Sequence, residues 1–187
     1  MTSRYALLVI AALCLVACGK KDDKAGGDKA GGDKAGATAS GKAPAKGPSF
    51  ETASMDLIYE MDDQRFRATM DAPKGAKFEE SYGTYEVKLG DGKDFFVQIE
   101  TDAPDMAAIK ADIEKNDVQK LVKFHTETAD TFIYETKFAS RTSFWLDTAV
   151  PFGEGKLTCR SGRGAHSYTK AHIEAFDKAC KSLKPKP

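Results

Sequence analysis

The chain has 187 residues with 28 basic and 28 acidic side chains, a formal net charge of +0. That length suits one domain with additional segments. The charge is unevenly spread: residues 19–48 hold seven lysines against four aspartates, and with Arg4 set aside residues 49–187 keep 20 basic and 24 acidic side chains. A mildly acidic domain argues against nucleic acid as a partner, because phosphate binding rests on clustered Lys and Arg.

The N-terminus begins Thr2-Ser3-Arg4 and continues in an apolar run from Tyr5 to Val16. A spanning helix needs about 20 apolar residues, so a run this short behind a positive start reads as a signal peptide. Leu15-Val16-Ala17-Cys18 resembles the lipobox of bacterial lipoproteins. That resemblance implies diacylglyceryl transfer to the Cys18 thiol, cleavage after residue 17, and a lipid bilayer as the first partner. Acyl chains hold because each buried methylene contributes about 0.8 kcal/mol. Gly19 is not the aspartate that retains many lipoproteins in the inner membrane, so the expected location is the periplasmic face of the outer membrane.

Residues 18–48 follow as a tether. They contain no large apolar residue, and Lys24-Ala25-Gly26-Gly27-Asp28 repeats with a period of five through Gly36. Such a segment cannot offset its ordering entropy and is expected to be disordered, with a root-mean-square reach of roughly 30 Å.

Residues 49–187 are expected to form a single domain. Met55, Leu57, Tyr59 and Met61 alternate with Asp56 and Glu60, as in a half-buried strand. Arg65–Asp71 alternates in the same way, with Phe66 and Met70 on one face, until Pro73-Lys74-Gly75 breaks it. Tyr82–Leu89 and Lys93–Thr101 flank Asp91-Gly92, the signature of a type I′ hairpin. A helix is expected next, capped by Asp102, with Met106, Ile109 and Ile113 at helical spacing. Strands then read over 118–127, 131–138, 143–150 and 156–161, and a last helix over 169–183 carries Ile173, Phe176, Cys180 and Leu183 on one stripe.

This order predicts an α+β fold, an antiparallel β-sheet with two helices packed on one face. The early Ala72-Pro73-Lys74-Gly75, the mid-chain helix, the long run of strands and the closing helix together resemble the PsbP/Mog1-like group of α+β domains. That group includes scaffolding and binding proteins, so the resemblance assigns no chemistry.

Of the four cysteines, cleavage removes Cys14 and lipidation consumes Cys18. Export places Cys159 and Cys180 in an oxidising compartment. Cys159 shares a strand face with Leu157, and Cys180 lies on the apolar stripe of the last helix, so a structural disulfide is expected. The alternative is a pair of buried free thiols.

Catalytic and metal patterns fail one by one. His125, His166 and His172 have no i, i+4 partner among themselves and no HExxH or CxxC beside them, so no metal site is expected. Ser161 lacks the glycine two residues earlier that GxSxG requires, because Cys159 stands there. Gly90-Asp91-Gly92-Lys93 lacks the earlier glycine of a phosphate loop. Asp62-Asp63 and Glu79-Glu80 fall in turns or loop-like stretches and read as solvated surface.

Two features point to binding. Arg160 and Arg163, with Lys156 nearby, offer a basic patch able to grip a carboxylate or phosphate bidentately. Trp145 lies on the strand face opposite Phe144 and Leu146, the face that Arg160 shares, where it is either partly exposed as an interface anchor or packed under the N-terminal segment or a helix. The function expected is therefore a non-catalytic envelope module that needs no cofactor and uses Trp145, Arg160 and Arg163 to bind another envelope protein. The alternative is a small-ligand carrier with a pocket between sheet and helices.

Overall fold

The computed structural model describes residues 48–61, 64–164 and 166–187. The expected signal peptide, the lipidation site Cys18 and the tether through residue 47 lie outside the described residues.

Two long antiparallel strands come first, β1 (Thr52–Met61) and β2 (Gln64–Pro73), paired from Thr52↔Pro73 to Met61↔Gln64. Their alternation sets the burial: Leu57, Phe66, Ala68, Met70 and Ala72 face inward. The C-terminal β10 (Lys184–Pro185) adds to β2 and completes a three-stranded sheet.

A second antiparallel sheet has seven strands in the order β3-β4-β5-β9-β8-β7-β6. They are β3 (Lys77–Ser81), β4 (Thr84–Leu89), β5 (Phe95–Glu100), β6 (Lys120–Glu127), β7 (Thr131–Phe138), β8 (Arg141–Phe152) and β9 (Gly155–Ser161). Helix α1 (Met106–Lys115) connects β5 to β6, and α2 (Lys170–Lys181) follows β9. The class is α+β, with antiparallel sheets and two helices, as expected.

The helices do not share a face. Side chains alternate across a strand, and in β7 Ile133 packs with α2 whereas Phe132 and Tyr134 pack with α1. In β8 Leu146 and Trp145 divide in the same way. Helix α2 and the three-stranded sheet together cover one face: Phe66 stacks on Tyr85 at 4.3 Å, and Phe176 meets Phe95 edge-on at 5.1 Å. Helix α1 covers the other face over β6–β8, through Ile113 with Met106 and Ile109 beside it.

The Cys159–Cys180 disulfide ties β9 to α2 across the main core, with Cα atoms 5.8 Å apart. Both cysteines are fully buried.

Three local expectations are corrected. Asp91-Gly92 does not form a two-residue turn, because the β4–β5 ladder ends at Leu89↔Phe95. The wider loop is pinned by the Tyr168 hydroxyl, which donates to the Gly92 carbonyl at 3.0 Å. The two-residue turn lies one hairpin earlier, at Tyr82-Gly83, where both φ angles are positive. Glu79 and Glu80, expected in a loop-like stretch, belong to β3. The cap of α1 is Asp105, whose carboxylate accepts from the Ala108 N–H at 2.9 Å, in place of Asp102. Among the described residues no helix is long and apolar enough to cross a membrane.

Candidate functional site

Strand register brings the chemistry together. Tyr134 lies opposite Trp145, and Asp147 lies opposite Arg160, so Tyr134 and Thr136 of β7, Trp145 and Asp147 of β8 and Arg160 of β9 share the face that α1 partly covers. Helix α1 contributes Ile109, Asp112, Ile113 and Asn116, spaced i, i+3, i+4 and i+7, which is one helical face. Asn116 caps the helix and its side-chain oxygen accepts from the Val118 and Gln119 N–H groups, turning the chain towards β6. Between that helical face and the sheet lies a cleft of about 450 Å³, lined also by Arg160, Arg163 and Gly164.

Gly162 places the arginines. Its N–H donates to the Phe96 carbonyl at 2.8 Å. A Cβ there would run into the Phe96 ring, so the close passage of the chain requires glycine. Arg163 leaves this turn with its N–H directed at Gln98 Oε1, 3.4 Å away.

The polar groups beneath the cleft form one network. Tyr134 Oη donates to Asp147 Oδ2 at 3.0 Å, and Trp145 Nε1 donates to Thr136 Oγ1 at 2.7 Å. Arg160 Nη2 donates to Glu100 Oε2 at 2.8 Å. Arg160 Nε lies 3.4 Å from Asp147 Oδ1 and Arg163 Nη2 lies 3.8 Å from the same oxygen. Neither Asp147 Oδ1 nor Arg160 Nε has a hydrogen-bond partner among the described residues. The Asp147 side chain is only 1 % exposed. Burial pushes its carboxyl up from the ordinary value, against the opposing pull of Arg160, Arg163 and the Tyr134 hydroxyl. Burial also raises the Tyr134 hydroxyl, reinforced by the Asp147 charge.

Trp145 and Arg160 do lie on the face opposite Leu146 and Cys159, and the two line one cleft with Arg163. Trp145, however, is not partly exposed. It is 7 % exposed, because α1 covers this face and makes the indole part of a second apolar cluster with Ile113, Phe132 and Tyr134. Lys156 does not join the arginines; its ammonium pairs with Asp130 at 2.6 Å, at the other end of β9.

The histidines stay apart. His125 is half-buried, 2.9 Å from Glu135 Oε2 and against the Phe144 ring. His172 closes the cap of α2 with Thr169, and burial lowers its pKa. No group of three or more potential metal-ligating side chains occurs among the described residues.

Sequence reasoning missed Asp147, Tyr134, Thr136 and the α1 face as members of the site. The available signal was a charged residue set inside the apolar run Phe144–Val150, since a carboxylate in such a position requires partners. Comparison of the chain with family models, curated proteins and solved structures finds no match.

Proposed function

We propose that this chain is an envelope lipoprotein, anchored through Cys18 on the periplasmic face of the outer membrane, whose domain is a non-catalytic binding module. Its binding site is the cleft between α1 and β7–β9, which favours a small ligand over a flat protein partner. The observation that carries this reading is the convergence of Trp145, Arg160 and Arg163 on one concave site of about 450 Å³. Ligand sites are typically clefts of about 300–1,000 Å³ with a few placed polar groups.

Binding is favoured over chemistry because the cleft lining contains no Ser, Cys, His or Lys, its Tyr134 hydroxyl is engaged by Asp147, and Asp112 is the one carboxylate of the lining, without a second to form an acid–base pair. Thr136, the one hydroxyl-bearing aliphatic side chain there, accepts from the Trp145 indole. The resemblance to PsbP/Mog1-like domains is compatible with this role, and the lipobox with the anchor.

Two measurements test the proposal. Backbone-amide NMR of the full chain, titrated with a mixed set of small polar and aromatic fragments, is expected to give saturable shifts at Asn116, Thr136, Trp145 and Arg163. Shifts confined to other surfaces, or none, refute the cleft as the site. Cys18→Ser is expected to leave uncleaved precursor without acyl chains; acyl mass still present on the variant by intact mass spectrometry refutes Cys18 as the anchor.

A further inference from the structure

Resting on the cleft as the binding site, we propose that its ligand is a small organic monocarboxylate. Its single carboxylate is met by Arg163, and its apolar or aromatic body lies against Trp145, Tyr134 and the wall formed by Ile109 and Ile113.

Arg163 is the anion-binding group because it is the less committed of the two arginines. Its side chain is 57 % exposed, and the guanidinium makes no hydrogen bond among the described residues. The nearest charge, Asp147 Oδ1, is 3.8 Å away. Arg160 is occupied by comparison, held by Glu100 on one side and by Asp147 on the other. A guanidinium with free parallel N–H groups matches a carboxylate bidentately.

The body of the ligand follows from what the aromatic side chains have left to offer. The indole N–H is spent on Thr136 and the Tyr134 hydroxyl on Asp147. The ring surface left to the cleft is narrow, since both rings are nearly buried, and α1 adds the side chains of Ile109 and Ile113. Ring and aliphatic surface reward an apolar body.

The charge balance sets the ligand's valence. Two guanidiniums stand among three carboxylates, those of Glu100, Asp112 and Asp147. The guanidiniums do not outnumber the carboxylates, so a ligand anion is held by direct contact with the Arg163 guanidinium and not by surplus positive charge. A phosphate dianion doubles the repulsion from the three carboxylates, because Coulomb energy scales with the charge.

The cleft contains its own reporter, since Trp145 is the only tryptophan of the chain. The experiment titrates the full chain in detergent with phenylacetate, phenylacetamide and phenyl phosphate, following Trp145 emission and repeating each by calorimetry. Phenylacetate is expected to change the emission saturably, with the uncharged amide and the phosphate ester each binding at least about tenfold more weakly. Arg163→Gln is expected to lower phenylacetate affinity roughly ten- to a hundredfold, as loss of a charged hydrogen-bond partner does, and Arg163→Lys to recover part of it. Arg163 also offsets the buried Asp147 charge, so a melting curve is taken for each variant, and Arg163→Lys, which keeps the positive charge, separates loss of fold from loss of binding. Equal affinities for acid and amide, tighter binding of the phosphate, or indifference to Arg163→Gln overturns the monocarboxylate assignment while leaving the cleft as a binding site. No saturable response to any of the three, in emission or in heat, overturns the ligand class as well. The fragment shifts at Asn116 and Thr136 then decide separately whether the cleft binds anything.

Discussion

Reducing the Cys159–Cys180 bond isolates the contribution of one covalent tie between sheet and helix. The cysteines are 21 residues apart in sequence. In the chain-entropy description, closing a loop of that size removes about 11 cal/mol/K from the unfolded state, worth about 3.3 kcal/mol at 25 °C. The native state loses little on reduction, because both sulfurs are fully buried among Leu157, Ile173 and Phe176 and free thiols pack there as small apolar groups. The whole effect is therefore expected through the unfolded chain. For a domain of about 140 residues, 3.3 kcal/mol corresponds to a fall in Tm of roughly 10–15 °C. The assay is a pair of urea melts, with and without reductant, on protein whose thiols are counted by alkylation. The slope with denaturant is expected to rise on reduction as well, since the unlinked chain unfolds to a more expanded ensemble. Cys159→Ala with Cys180→Ala is expected to cost somewhat more than reduction, because it also removes two buried sulfur atoms. Superimposable melts in the two conditions would refute the loop-entropy reasoning, and two alkylated thiols without reductant would refute the bond itself.

Three further changes probe the covered face. Trp145→Ala is expected to destabilise the domain by about 3–4 kcal/mol in a denaturant melt, the usual cost of truncating a buried aromatic; a change below about 1 kcal/mol would mean that α1 does not pack on the indole. Asp147 has a folded pKa raised by burial above its unfolded value, so its contribution to stability is full below the unfolded pKa and is lost as pH rises through the folded pKa. Asp147→Asn, which cannot ionise and keeps an acceptor for Tyr134, is expected to gain on the natural protein as pH rises from the ordinary carboxyl range towards neutrality; urea melts across pH that show the opposite slope would mean that Arg160 and Arg163 outweigh burial. Gly162→Ala is expected to cost about 1–3 kcal/mol through forced movement of the Phe96 ring, and to weaken fragment binding in the cleft by moving Arg163; unaltered stability together with unaltered NMR shifts would show that this turn does not position the site.

What could be read from the sequence follows from period. Alternation places Leu57, Phe66 and Met70 inside the β1–β2 hairpin, and the 3.6-residue spacing places Ile173, Phe176 and Cys180 inside α2, all of which are buried. The disulfide was legible for the same reason, because both cysteines occupy inward positions of elements whose period is clear. The β4–β5 loop was not legible. Asp91-Gly92 has the residues of a tight turn, but the Tyr168 hydroxyl, 76 positions further along, holds the Gly92 carbonyl in a wider one. A long-range hydrogen bond overrode the local preference.

Trp145 shows where parity stops being sufficient. Alternation assigns the indole to the face opposite Leu146, and the register of β7, β8 and β9 agrees. Parity does not say whether that second face is wet. The information lies in the departure from alternation: Thr131–Tyr134 in β7 and Trp145–Val150 in β8 are buried without a break. A strand covered on one side reads apolar-in and polar-out, whereas a strand covered on both reads as a continuous run. The two runs identify the part of the sheet that needs a second cover, and α1, with Met106, Ile109 and Ile113 at helical spacing, supplies it. Continuous burial also explains why the polar groups in these runs are consequential. Asp147 cannot reach water, so it draws on Tyr134, Arg160 and Arg163 from three neighbouring segments. Each of those partners lines the cleft. The buried carboxylate and the binding site are thus two consequences of one arrangement, a sheet covered on both faces whose second cover, a ten-residue helix, leaves a gap beside the arginines.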